Sequence, residues 1–507
     1  MTTMTTGSDT LTRDALAVLQ PGFVGTTAPD WLLRRIGEGL ASVGLFGRNI
    51  VSAPQVAALT AQLRAERDDL LVAIDEEGGD VTRIEVRTGS SFPGNLALGA
   101  VDDLGLTREV ARELGRRLAE CGVNLNWAPS ADVNSNPDNP IIGVRAFGAD
   151  TGLVARHTAA YIEGLQASGV AACTKHFPGH GDTNVDSHHA MPRIDVDLDT
   201  LHARELVPFR AAIAAGSKSV MSAHILLPAL DPARPATLSP RILTGLLREE
   251  LGYDGLIVSD AVEMQAIAGT VGIERGSVLA IAAGADALCV GGGLADEGTV
   301  LRLRDALVTA VREGELAEER LADAAARVRA LAAWAQRVRG DVTAPGAAVQ
   351  EGTAPGTGIA TDIGLVAARR AAKVTASPSW SPLAQAPYVA TFTPVMNIAV
   401  SSETPWSIGA ELDGLLPGTE SGTYGTDAAA ADVLAAAGER RIVAVVRDEH
   451  RHPWMAAALD ALLAARPDTV VVEMGVPRAT PRGALHIATH GAARVCGRAA
   501  AEVIAGV

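Results

Sequence analysis

The stretch Gly255-Leu256-Ile257-Val258-Ser259-Asp260 decides the fold. Its apolar residues follow one another without alternation, so it reads as a strand covered on both faces, as in a parallel sheet. It ends on a carboxylate. The same texture recurs outward from it. Leu71 to Asp75, Val123 to Trp127, Val170 to Lys175, Ser219 to Ser222 and Asp286 to Val290 are apolar runs of strand length. Segments with helical spacing, such as Asp150 to Ser168 and Thr200 to Ala215, lie between them. This alternation predicts an α/β fold, a (β/α)8 TIM-type barrel over residues 10–335. A doubly wound open sheet is the competing arrangement and also places function at strand ends. The barrel is preferred because polar residues gather where the apolar runs stop, at Asp75, Lys175, His176, His224 and Asp260. In a barrel those ends share one face.

Residues 336–357 change character: the run from Gly340 to Gly356 is rich in Gly, Ala, Pro and Thr and reads as a linker. Beyond it, a helix is expected from Asp362 to Lys373 and another from Ala456 to Ala465. Strands are expected at Asn397 to Val400, Arg441 to Arg447 and Thr469 to Met474. Residues 358–507 are thus expected to form a smaller three-layer α/β sandwich domain.

The bulk numbers exclude several classes of function. A chain of 507 residues that is 48% hydrophobic can bury a large core. A formal net charge of −16 without a basic block argues against nucleic acid or an anionic membrane as partner. Cys121, Cys173, Cys289 and Cys496 form no CxxC pair and sit among apolar neighbours, so they read as buried reduced thiols. The N-terminus shows no basic segment followed by an apolar one, and no uncharged apolar run reaches the roughly 18 residues of a membrane span. A cytoplasmic location is the expectation.

The densest polar cluster runs Lys175-His176-Phe177-Pro178-Gly179-His180-Gly181-Asp182-Thr183-Asn184-Val185-Asp186-Ser187-His188-His189. His176 and His180 have the spacing of a helical zinc motif, but Pro178, Gly179 and Gly181 break helices. A loop-built metal site, and with it a metal-dependent hydrolase, stays open as a rival. The reading preferred here is a strand end followed by a long loop. Lys175 and His176 can donate to sugar hydroxyls. Asp186, two residues before His188, can accept from one imidazole nitrogen and raise the basicity of the other. A solvated polar loop would carry the same spacing. Asp260, directly after a buried strand, is hard to explain by packing. It can serve as a nucleophile in glycoside cleavage, or as a substrate or metal ligand. Asp75, Arg83 and Arg145 recur in similar settings and, taken singly, are compatible with structural ion pairs. Glu263 reads as an ion-pair or supporting residue.

Together these segments resemble glycoside hydrolase family 3, in particular its bacterial β-N-acetylglucosaminidases. The likeness is carried by Gly44 to Asn49, Asp75-Glu76-Glu77-Gly78-Gly79 with Arg83, Gly143 to Gly148, Lys175 to Asp182, Asp186-Ser187-His188 and Val258-Ser259-Asp260, in the family's order across most of residues 20–290. A weaker likeness to the family's second domain lies in Thr469 to Pro477 and Ala488 to Arg498. Glu76 departs from the Gln of many relatives but leaves Asp75 intact.

The resemblance implies roles by position. Asp260 matches the nucleophile, His188 the acid/base and Asp186 its partner. Asp75, Arg83, Arg145, Lys175 and His176 match residues that bind N-acetylglucosamine at the non-reducing end. It implies a retaining double displacement without metal or organic cofactor, acting on a small carbohydrate such as a cell-wall muropeptide fragment or a chitooligosaccharide. A histidine that has given up its proton is neutral and does not repel an anion at the acceptor side. Inorganic phosphate as acceptor, and hence a β-N-acetylglucosaminide phosphorylase, is therefore the alternative. A non-catalytic sugar-binding protein would be expected to lack Asp260 or His188, and both are present.

Overall fold

The structure is a computed structural model, described here for residues 3–183, 191–343, 362–394, 400, 403–427 and 430–507. The chain divides into two compact units: residues 1–76, 107–140 and 149–360 form the first, and 77–106, 141–148 and 361–507 form the second.

The first unit is the expected barrel. Its parallel strands are β1 (Leu19–Pro21), β2 (Ser42–Leu45), β3 (Leu71–Ile74), β4 (Leu125–Asn126), β5 (Ala171–Phe177), β6 (Ser219–Ser222), β7 (Leu256–Ser259) and β8 (Ala287–Val290). They are bonded in the order β1-β8-β7-β6-β5-β4-β3-β2. Every residue of these strands is buried, which is why the runs are continuously apolar instead of alternating. The sequence reading located six of them and missed β1 and β2, whose Leu-Gln-Pro and Ser-Val-Gly-Leu are too short to stand out. Helix starts are written locally. The Asp150 side chain accepts from Leu153 N at 2.7 Å and opens helix Thr151–Ala167. Asp296 does the same with Thr299 N at 2.9 Å for helix Glu297–Arg312. The helix Glu318–Thr343 runs on into the stretch expected to be linker.

Carboxylates at the two ends of the strands behave differently. Asp286, just before β8, is fully buried between Arg248 and Arg320 (2.6 Å) and accepts from Ile257 N at 2.8 Å. That is the dress of a stabilising residue at a barrel's N-terminal face.

The second unit holds a mixed sheet of β9 (Lys373–Ala376), β10 (Tyr388–Phe392), β11 (Glu420–Tyr424), β12 (Ile442–Val446), β13 (Val470–Glu473) and β14 (Leu485–Ala488). The order is β11-β10-β12-β13-β14-β9, parallel except for the antiparallel edge strand β9. Side chains alternate between two cores. Val389, Val443, Val445, Val470 and Val472 pack with Ala499, Ala500 and Ile504 of helix Arg494–Ala505. Ala390, Phe392, Ala444, Val446 and Val471 pack with Val433, Met455 and Leu459 of helices Ala430–Ala437 and Pro453–Ala465. Helices on both faces make the expected three layers. The strand expected at Asn397 to Val400 lies outside the described residues apart from Val400. The segment 77–106 is tied to the rest of this unit through the buried Asp80–Arg447 ion pair, the Arg494–Ser91 hydrogen bond at 2.8 Å and the Arg370–Asp103 pair at 2.8 Å, and the segment 141–148 joins it through the Arg145–Glu77 pair. Among the described residues, no helix is long and apolar enough to cross a membrane.

Glu473, at the tip of β13, is buried. Its Oε1 accepts from Asp448 N at 3.0 Å and Gly475 N at 2.6 Å. Burial, and then the neighbouring Asp448 carboxylate, push its carboxyl up to about 8 from an ordinary 4.5. Between those values the unfolded chain ionises Glu473 while the native state keeps the proton, so this group makes stability fall as pH rises. Glu473→Gln cannot ionise. Its unfolding free energy from urea titration is expected to gain on the wild type steadily from pH 5 to pH 8, by an amount on the order of a few kcal/mol. A difference that stays flat across that range would refute the shift.

Candidate active site

The site is read from the C-terminal ends of the barrel strands. Asp75 follows β3 directly, and Lys175 and His176 lie in the last turn of residues of β5. Lys175 is buried, and its Nζ meets Asp75 Oδ1 at 2.7 Å. A buried ammonium needs such a partner. Here the partner is the partly exposed carboxylate of Asp75 at the barrel rim.

Asp260 follows β7, and its Oδ1 accepts from Ala261 N at 2.8 Å. The buried His224 holds this turn: Nε2 bonds Ala261 O at 2.9 Å, and Nδ1 meets Thr237 Oγ1 at 2.8 Å. His224 therefore spends both ring nitrogens on structure. Glu263 accepts through Oε1 from Gly291 N at 2.8 Å and from Gly292 N, tying the turn after β7 to the end of β8. Of the two readings the sequence left for it, ion-pair residue or supporting residue, these backbone partners match the second. Burial, and to a lesser degree Asp260, keep its carboxyl above the usual range. Asp75 and Asp260 directly follow β3 and β7, two strands of one parallel barrel, and so stand at the same end of it. All four cysteines are free and buried.

In the second unit, Arg145 is buried and forms a two-pronged pair with Glu77, Nε to Oε2 at 2.9 Å and Nη2 to Oε1 at 2.7 Å. Arg145 Nη1 also donates to Ile141 O at 3.3 Å. Asn95 Nδ2 donates to the Arg145 carbonyl at 2.7 Å. Arg83 is half-buried, with Nη1 3.5 Å from Thr82 O. Asp186 and His188 lie outside the described residues. Among the described residues, no group of three or more His, Cys, Asp or Glu is arranged to hold a metal ion.

The glycosyl hydrolase family 3 N-terminal domain model matches residues 33–331. The chain belongs to that family. β-Hexosaminidase A of Pseudoalteromonas piscicida is 36% identical over 332 residues, covering 60% of this chain and 55% of that protein. The chain thus spans about half the length of that relative. A β-hexosaminidase of Stenotrophomonas maltophilia is 38% identical over 269 residues, 52% of this chain and 78% of that one. The solved glycoside hydrolase family 3 β-N-acetylglucosaminidase from Paenibacillus sp. str. FPU-7 superposes with a TM-score of 0.85 at 35% identity, covering 98% of this chain and 96% of that chain. A barrel followed by an α/β sandwich is therefore the shared two-domain architecture of this family 3 chain and that neighbour.

The structure adds residues around the candidate site that the sequence did not single out. Asp132 is fully buried and gathers donors from the end of β5 and the segment after it: His176 Nδ1 at 2.7 Å, His176 N at 3.2 Å and His180 N at 2.7 Å. Asn139 Nδ2 donates to the carbonyls of His180 and Gly181 at 2.9 and 3.0 Å. Arg204 meets Asp182 at 2.6 Å. The polar segment from His176 to Asp182 is thus bolted to the loop that follows β4. Asp132 carried a legible signal: like Asp75 and Asp260, it comes shortly after a buried apolar run, Val123 to Trp127. Asn139 carried none.

Close approach explains Gly181. A Cβ there would fall 1.7 Å from Val133 O, a clash with backbone that no side-chain rotation relieves. Gly181→Ala is expected to lose about 1–3 kcal/mol of stability, the usual cost of overpacking, and to lower kcat/KM by more than that loss of folded protein explains. Urea unfolding and kinetics at a temperature where the variant stays folded measure both. Unchanged values would show that the segment has room to move.

Proposed function

We propose that this chain is a retaining exo-β-N-acetylglucosaminidase that releases N-acetylglucosamine from the non-reducing end of muropeptide fragments or chitooligosaccharides. The observation that carries the reading is Asp260 at the tip of β7, at the same barrel end as the Asp75–Lys175 pair, in a family 3 chain. Support also comes from the Paenibacillus β-N-acetylglucosaminidase, whose likeness runs through nearly the whole chain.

In this mechanism Asp260 attacks the anomeric carbon as His188, protonated and steadied by Asp186, gives its proton to the leaving oxygen. The bond to the aglycone breaks and an ester to Asp260 forms through an oxocarbenium-like transition state, whose positive charge the Asp260 carboxylate stabilises. Neutral His188 then takes a proton from water as water's oxygen attacks the same carbon and expels Asp260. Two inversions give retention. Asp75, Lys175 and His176 hold the sugar's hydroxyls, and Arg83 and Arg145 carry the binding roles that the family resemblance gives them.

Asp260→Asn is expected to abolish turnover and leave the fold intact by circular dichroism. Ordinary activity in that variant would sink the nucleophile assignment. His188→Ala is expected to slow substrates with poor leaving groups most. If aryl glycosides with good leaving groups are slowed equally, His188 is not the acid. Product analysis of chitobiose and a muropeptide disaccharide, with and without phosphate, tests the substrate and the acceptor. Free N-acetylglucosamine of retained configuration is expected in both buffers, and a sugar 1-phosphate in the phosphate arm would move the assignment to phosphorolysis.

A further inference from the structure

We infer that Asp132 is a positioning residue that fixes the hydrogen-bonding role of His176, holding the ring through Nδ1 so that Nε2 is its working atom. The inference deepens the proposed function and rests on His176 meeting the sugar. The geometry is specific. A carboxylate offers about four acceptor positions, and in Asp132 each is taken by a donor of its own. Oδ2 receives His176 Nδ1 at 2.7 Å and Ser130 Oγ at 2.9 Å. Oδ1 receives the backbone N–H groups of His176 at 3.2 Å and His180 at 2.7 Å.

No position is left for a proton on the carboxyl itself. Burial alone would raise the Asp132 pKa, but the His176 ring and the surrounding donors outweigh it and bring it down to about 2. An ionised carboxylate can only accept, so His176 Nδ1 must donate. The one nitrogen of the ring whose role can then change is Nε2.

A second histidine stands close without competing. The His180 ring lies edge-on to His176, with centroids 5.8 Å apart at 75°. It is buried, and among the described residues neither of its ring nitrogens has a hydrogen-bond partner. Asp132 takes only its backbone N–H. Burial first, and the adjacent His176 second, lower the His180 pKa to about 4, so His180 stands neutral beside the held ring.

A rival account makes Asp132 a mere staple for the segment after β5, through the two backbone amides. Asp132→Asn separates the two accounts. The amide oxygen can still accept both backbone N–H groups, so the staple survives. The amide NH2 then faces His176 Nδ1, which must become an acceptor, and the hydrogen moves to Nε2. Sterically the change is minimal, but the ring's two nitrogens exchange roles.

Two measurements on the full chain decide the matter. Nitrogen-15 NMR of histidine-labelled protein, with the His176 signals assigned by their loss in His176→Gln, should show Nδ1 protonated in the wild type at pH 7 and the Nε2–H form in Asp132→Asn. A wild-type ring with a bare Nδ1 overturns the inference, and that spectrum decides even if the variant does not fold. Steady-state kinetics on an aryl N-acetylglucosaminide should show kcat/KM lower by roughly 10–100-fold in Asp132→Asn, the loss seen when the carboxylate behind a metal-bound imidazole is removed, with an unfolding midpoint close to that of the wild type. Wild-type kinetics with the tautomer reversed would also overturn it. If the wild type cleaves no glycoside at all, the proposed function fails while the spectrum still judges Asp132.

Discussion

The barrel strands are buried on both faces, and this one constraint governs where charge can stand. Inside the sheet most positions are apolar or small, and the carboxylates, ammonium and imidazole groups stand at the strand ends. At the N-terminal end Asp286 is neutralised by arginines and serves the fold. At the C-terminal end stand Asp75, Lys175, His176 and Asp260, with Lys175 paired to Asp75 and His176 to Asp132.

The C-terminal rim also shows how a polar site is kept in one shape. The groups expected to act are anchored by buried neighbours. Asp75 is paired with the more deeply buried Lys175, the turn at Asp260 is held by His224 through the carbonyl of Ala261, and His176 is held by Asp132. Removing water around such groups strengthens each contact and makes each missing partner expensive. The supporting residues are therefore saturated with donors or acceptors. Asn139 and the bare backbone of Gly181 extend this support to the base of the polar loop.

Much of the barrel could be read from the chain because a strand buried on both faces leaves an unbroken apolar run that helical spacing does not imitate. The six runs found this way match β3 to β8 closely, whereas β1 and β2 are too short to form a pattern. The second sheet alternates between two cores, so only its most apolar strands, β12 and β13, were legible. The rim residues were legible for a related reason: a charge directly after an apolar run has no packing explanation. The Glu77–Arg145 pair and the Asn139 anchor could not be found that way, since their partners are distant in sequence.

The sequence by itself determined the alternating strand–helix plan, the polar groups at the strand tips and the motifs that place the chain in glycoside hydrolase family 3, because each is written in neighbouring residues. Only the tertiary structure decided which carboxylate serves which partner: Asp132 for His176, Glu77 for Arg145, and Asp80 for Arg447. It alone also gathered residues 77–106 and 141–148 into the same compact unit as the chain beyond 361. Such pairings depend on distance in space and on burial that strengthens the interaction between charges, and neither quantity is set by position along the chain.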